Sequence, residues 1–217
     1  MREKLAGSLL SLSLVAIVSA RAHAAEIQRV GFQGTGATVQ FFGTAPLTCP
    51  DGSTGFVGVF GSLAGAEQVS SQTGVPKVFA NGIFVSIDGY TNSCTFFSVS
   101  GANNFVENAF VPLDAKLRGT SMVGSTVVTD FNTGAQLSVS FDIDVDADGP
   151  LNTSKSTSKS KVRSTKGGPV TVNKSRTANN NRTGDAEGTL TIDGVVLNPD
   201  FSAVLFSSSS AQVTITR

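Results

Sequence analysis

The stretch LSVSFDIDVDAD, residues 137–148, decides the fold class. Apolar and polar residues alternate from Leu137 through to Asp148 without a break. Because successive side chains of a β-strand point to opposite faces of the sheet, this period of two predicts one buried face and one solvated face. Such a strand is typical of an antiparallel sheet that covers a core on one side only.

Strand signals recur along most of the chain, whereas no window shows the apolar spacing and end signals of a helix. The segment 116–130 is predicted to pair with 137–148 as a hairpin, through the Gly-containing loop 131–134. We therefore predict an all-β fold, an antiparallel two-sheet β-sandwich, with a closed or partly open β-barrel as the alternative. The other strand candidates are 38–42, 56–60, 83–87, 95–99, 188–192, 203–207 and 212–216.

Residues 1–24 have the composition of a Sec-type signal peptide. A short charged stretch precedes an apolar run from Leu5 to Ala20, and Ala22-His23-Ala24 is a small-residue cleavage site. Cleavage would leave 25–217 as a single β-sandwich domain with no transmembrane segment. We expect a bacterial protein that is secreted or held in the periplasm or cell envelope.

His23 is the only histidine, and it lies in the segment that cleavage removes. Histidine is the commonest proton shuttle and metal ligand, so its loss argues against Ser-His-Asp and Cys-His hydrolases and against ordinary zinc enzymes. The prediction is a non-catalytic structural or recognition module, with no catalytic residue assigned. A calcium-dependent or carboxylate-based hydrolase is the competing hypothesis, since Asp142 to Asp148 would place carboxylates at intervals along one strand face.

Cys49 and Cys94 are the only cysteines. An even pair in an exported chain predicts one disulfide bond. Neither residue belongs to a CxxC motif, and no histidine is near enough in sequence to activate a thiol. We expect the bond to be structural.

The segment Asp144-Val-Asp-Ala-Asp148-Gly149 matches the opening of a calcium loop, so Asp144, Asp146 and Asp148 are candidate metal ligands. The match ends there, because the twelfth position is Lys155 where a calcium loop needs Glu. The favoured alternative is a hairpin. If the chain turns at 148–152, the next strand runs back and its lysines face the aspartates as cross-strand charge pairs.

The segment 155–182 is strongly cationic, because lysine and arginine residues recur along it and no acidic residue occurs between Asp148 and Asp185. A run of charge of this kind is usually a solvated face. The alternative hypothesis is a surface that binds an anionic polymer such as lipopolysaccharide, an acidic glycan or nucleic acid. The segment has no interleaved aromatic residues on which bases could stack, so sequence-specific nucleic-acid binding is not expected. The candidate anion-binding residues are Lys155, Lys159, Lys161 and Arg163.

Two segments resemble small exported bacterial all-β proteins of unassigned function. Phe84 to Tyr90, FVSIDGY, leads to Cys94 and is similar to a V-S-V-x-x-Y…C pattern in those proteins. Residues 185–194, DAEGTLTIDG, are similar to the A-x-G-T-V-x-D-G pattern that follows it. The resemblance implies an exported β-domain and brings no activity and no catalytic residue with it.

Overall fold

The computed structural model describes residues 26–72, 75–165 and 167–217. The predicted signal peptide and His23 lie outside these ranges. The described residues contain eleven strands and no helix. None of these residues therefore forms a helix that could cross a membrane. The strands are β1 (Glu26–Thr48), β2 (Thr54–Gln72), β3 (Val75–Asn92), β4 (Phe97–Val99), β5 (Ala102–Glu107), β6 (Gly119–Asp130), β7 (Gln136–Ala147), β8 (Asn152–Arg163), β9 (Val170–Ile192), β10 (Val195–Leu197) and β11 (Asp200–Thr216).

Eight strands pair in a ring, in the order β9-β11-β1-β2-β3-β5-β6-β7, and β7 returns to β9. Every pairing between them is antiparallel. The weakest junction is β5 with β6, where only Ala102 and Asn103 find partners. The predicted all-β, antiparallel fold is confirmed, and this pairing is consistent with both a β-sandwich and a partly open barrel.

The core fills the inside of this ring. Alternate residues of β7 point into it, so that Leu137, Phe141 and Ile143 are buried while the aspartates between them are exposed. The same alternation runs through β1, β2, β3 and β11, and their buried residues form one hydrophobic cluster with those of β7. The period of two in the sequence thus predicted the core-facing side of β7 correctly.

The hairpin of β6 and β7 is also confirmed, with Thr129 opposite Gln136 and Gly119 opposite Asp146. Its turn is held by Asp130, a buried carboxylate. Asp130 accepts hydrogen bonds from the backbone N–H groups of Asn132 at 2.7 Å and Thr133 at 3.2 Å. These bonds, that of Asn132 foremost, lower the pKa of Asp130.

Six strand segments continue past the ring as a sheet that we call the wing. Its order is β8-β9-β11-β1-β2-β3, since β8 pairs with the first half of β9. None of the wing residues whose exposure is described is buried, so both faces of this sheet meet solvent. The wing comprises 152–163, 170–181, 206–216, 26–33, 69–72 and 75–78.

The predicted hairpin between β7 and β8 is wrong. β8 pairs with β9 and runs on in the direction of β7, along the same edge of β9. Ala147 is opposite Gly184 and Asn152 is opposite Asn181, so four residues of one strand face only two of the other. The segment 148–151 is therefore a bulge and not a reversal.

The bulge is held by side chains of β9. The Thr183 hydroxyl donates to the Asp148 carboxylate at 2.8 Å, and the Arg182 Nε donates to the Gly149 carbonyl at 2.8 Å. As a result the lysines of β8 follow the aspartates along the strand and do not face them. The expected charge pairs across a β7–β8 ladder do not form.

Cys49 and Cys94 lie where the disulfide prediction requires, with their sulfur atoms 2.01 Å apart. The bond joins the end of β1 to the loop after β3. A glycine makes room for it, since a Cβ atom at Gly55 would lie 2.5 Å from the Cys94 sulfur. The bond closes a loop with a sequence separation of 45 residues.

Candidate functional site: a basic face of the wing

All four candidate anion-binding residues lie on one face of β8. Lys155, Lys159, Lys161 and Arg163 are at odd positions of a regular strand, and all are exposed. Side chains on such a face repeat about every 6.5 to 7 Å along the strand, so Lys159, Lys161 and Arg163 are neighbours at this spacing and Lys155 lies two spacings before Lys159. The structure therefore brings together the set that the sequence predicted.

The register of the wing adds three more cations to this face. Residues directly opposite each other in a ladder share a face. Lys159 is opposite Lys174 of β9, Lys174 is opposite Val213 of β11, and Val213 is opposite Arg29 of β1. Arg176 lies two residues from Lys174 and has the same orientation. We call the seven residues the basic face: Arg29, Lys155, Lys159, Lys161, Arg163, Lys174 and Arg176.

No acidic side chain accompanies these cations on their face of the wing, as far as the wing is described. The only ion pair of the described residues joins Arg118 to Asp114, elsewhere in the chain. Lys159 and Lys174 are like charges directly across a ladder, an arrangement that destabilises a sheet. An anion bound between the two lysines would reduce this repulsion.

Two hollows lie along this part of the wing, with volumes of about 480 and 550 Å³. Lys155 and Arg176 line the first, and Lys159, Lys174 and Arg176 line the second. Apolar residues also line the hollows: Ala178 of β9 the first, Val213 of β11 the second, and Ala211 of β11 both. Lysine side chains pack their methylene groups on such a surface while the ammonium groups stay in water.

The other face of the wing is polar and almost uncharged. Hydroxyl groups meet in cross-strand pairs there, Ser156 with Thr177 at 2.6 Å and Ser158 with Ser175 at 2.8 Å. Thr214 donates to the Asn173 side chain at 3.0 Å. Because β8 carries serines on one side and lysines on the other, the positive charge of β8 is confined to a single face.

Acidic residues form a separate strip on the outer face of the ring. Asp144 is opposite Glu187 and Asp146 is opposite Asp185 across the β7–β9 ladder, and all four are exposed. Asp142 continues the strip along β7. The carboxylates that suggested a hydrolase therefore stand on an open sheet face.

The three candidate calcium ligands are not gathered at one point. Asp144 and Asp146 point outward from β7, whereas Asp148 lies in the bulge and accepts the Thr183 hydroxyl. Within the ranges that the structure describes, no group of three His, Cys, Asp or Glu side chains could hold a metal ion. Calcium binding at Asp144, Asp146 and Asp148 stays a prediction from the sequence pattern alone.

No protein-family model matches the chain, and no curated protein matches it. The sequence indicated Lys174 and Arg176 only as members of the cationic segment 155–182. It gave no signal for Arg29, which joins the basic face through β11 and lies far from β8 in the chain.

Proposed function

We propose that the protein is an exported, non-catalytic recognition module that binds an anionic polysaccharide through the basic face. The observation that carries the proposal is the register that aligns seven exposed cations, without an acid, over β8, β9 and β1. Regularly spaced cations on a stiff sheet suit a polymer whose carboxylate or sulfate groups also repeat. Export agrees with the disulfide bond, which oxidising compartments favour.

The chemistry of the face favours a polysaccharide over a single-stranded nucleic acid. Nucleic-acid grooves combine cations with aromatic side chains on which bases stack. The described part of the basic face has no aromatic residue between its charges, and Val172, Val213 and Ile215 are aliphatic. An anionic polysaccharide fits both the cations and the lack of aromatic residues. Its acidic groups would contact the cations, and its sugar rings would lie near lysine stems and small aliphatic side chains.

Titration with heparin, a sulfated polysaccharide, tests the proposal. We expect the logarithm of the association constant to fall steeply with the logarithm of salt concentration, because each contact releases condensed counterions. Replacing Lys159 and Lys174 by Gln should weaken binding and reduce that slope by roughly 1 to 2. Lys77→Gln is the matched control, since Lys77 is exposed on the same wing but aligns with its opposite face.

The Lys77→Gln control distinguishes binding at the basic face from general electrostatic attraction between heparin and any exposed lysine. If Lys77→Gln weakens heparin binding as much as the double variant does, the basic face is not the site. If heparin does not bind the wild-type protein at low salt, the proposed function is wrong.

A further inference from the structure

A second groove crosses the outer face of the ring, on the first halves of the β11 and β2 strands and away from the cations of the wing. Its volume is about 440 Å³. The register places Asp200 opposite Phe42, Phe42 opposite Phe60, and Phe60 opposite Gly89, where a bulge sets Asp88 beside the row. A carboxylate, two aromatic rings and a carboxylate thus follow one another across four strands.

Both rings of this row are open to solvent, with Phe42 63% and Phe60 50% exposed. The ring of Phe60 lies down over Gly89, where a Cβ atom would be only 2.1 Å from the ring carbon Cε1. A glycine at this point lets one side of the ring rest on the neighbouring backbone. The other side of the ring is left as a flat apolar platform.

Polar side chains also line the groove. Gln40 is opposite both Ser202 and Ser62, and all three line the groove next to the aromatic row. Their amide and hydroxyl groups can both donate and accept hydrogen bonds. Asp88 accepts the Ser86 hydroxyl at 2.8 Å, and no cation pairs with Asp88 or Asp200 among the described residues.

We propose that this groove binds an uncharged oligosaccharide. A sugar ring has apolar C–H faces, which pack on aromatic platforms, and hydroxyl groups at its rim, which donate to carboxylates and exchange hydrogen bonds with amides. The row spans three strand spacings, about 14 Å, so it suits several linked sugars better than one. The ligand differs in charge and place from that of the basic face, and the site goes beyond the function proposed above.

The charges of the groove decide between ligand classes. Its two carboxylates repel the anionic polymer that suits the basic face. A simple cation would be drawn more strongly to the acidic strip, where Asp144 and Asp146 lie opposite Glu187 and Asp185. Besides its charge, the groove has two exposed aromatic rings and the polar side chains of Gln40, Ser62 and Ser202. An uncharged sugar uses these groups, whereas a small cation does not need them.

A panel of uncharged hexasaccharides, built from β-glucan, α-glucan, mannan, xylan and chitin repeats, tests the proposal by calorimetry and by NMR titration. We expect at least one to bind with an affinity that changes little with salt. Phe42→Ser and Asp200→Asn should each weaken it about tenfold or more, which corresponds to about 1.4 kcal/mol. The matched control is Phe84→Ser, which removes an exposed ring of the same outer face outside the groove.

Further outcomes keep this site distinct from the basic face. The double replacement of Lys159 and Lys174 by Gln should leave saccharide binding unchanged whatever it does to heparin. The inference is overturned if no member of the panel binds, or if Phe42→Ser binds as tightly as the wild type. It is also overturned if spermidine, and none of the saccharides, loses affinity on Asp200→Asn. Thermal unfolding of each variant confirms that the ring is still folded.

Discussion

β7 and β8 are strands of equal length, twelve residues each, that pair in succession with the same edge of β9. β7 alternates between buried and exposed residues, whereas every residue of β8 is exposed. β7 also has β6 on its other edge, and β8 pairs with no other strand among those described. Equal backbone pairing therefore supports a core element in one case and a surface element in the other.

The difference lies in the residues that alternate with the polar ones. In β7 these are Leu, Val, Phe and Ile, whose burial supplies the free energy for closing the ring. In β8 they are mainly Lys and Thr, which gain little from burial. The lysines also protect the free edge of β8 from pairing with another chain. The ring therefore contains the buried core that stabilises the fold, whereas the described wing residues contribute none of that core.

The disulfide bond supports the ring and should give the largest effect. Replacing Cys49 and Cys94 by Ala should lower the free energy of unfolding by about 4 kcal/mol, because the unfolded chain loses a closed loop of 45 residues. The measurement is urea unfolding of the variant and of the oxidised wild type. Heparin affinity of the folded variant should be unchanged, since none of the seven cations lies inside this loop. A loss below about 1 kcal/mol would mean that the ring does not depend on the bond.

A matched pair of truncations tests the comparison of β7 with β8 directly. Ile143→Ala should cost about 3 kcal/mol, because Ile143 is fully buried and the vacated space cannot close completely. Val162→Ala should change stability by less than about 0.5 kcal/mol, because Val162 of β8 is 57% exposed. Denaturant unfolding measures both. Similar costs at the two positions would show that β8 is packed against something in solution.

Low pH should destabilise the ring through protonation of Asp130. Its pKa is lowered in the folded chain by the bonds from Asn132, Thr133 and Ser100, so its stabilising contribution is complete above the unfolded pKa of about 3.9 and is lost as pH falls through the folded value. Asp130→Asn should flatten the dependence of the unfolding midpoint on pH in this acid range. Asn132→Ala keeps the backbone N–H that Asp130 accepts and should retain the slope. An identical acid slope in both variants would assign the effect to other carboxylates.

The smallest effect concerns the opposed lysines of the wing. Lys159→Glu replaces a repulsive pair with an attractive one, so it should stabilise β8 by about 0.5 kcal/mol. Amide hydrogen exchange of β8 detects this as slower local opening. The same change should weaken heparin binding, whereas Ser158→Glu, on the other face of the strand, should weaken it less. Faster exchange in Lys159→Glu would show that the two lysines do not face each other.

The hairpin predicted between β7 and β8 was wrong because local turn signals do not determine the direction of the next strand. Asp148-Gly149-Pro150 has the composition of a turn, and turn residues alone do not say whether a chain reverses or only bulges. The outcome depends on β9, whose 23 residues offer one edge long enough for β7 and β8 in succession. By contrast, the hairpin of β6 and β7 was predictable, because a strand-like segment precedes its short Gly-containing loop and the alternating pattern of β7 follows it.

Four features were predictable from the amino acids alone, because they follow from a local period of two and from residue type: the all-β class, the buried side of β7, the Cys49–Cys94 bond and the shared face of the four cations of β8. The alignment of Arg29 with Lys174 and the groove that Asp200 shares with Phe60 became visible only in the folded chain. Such neighbours are set by hydrogen-bond register between strands that are distant in the chain. Register depends on which faces must be buried together, and that is a property of the whole fold.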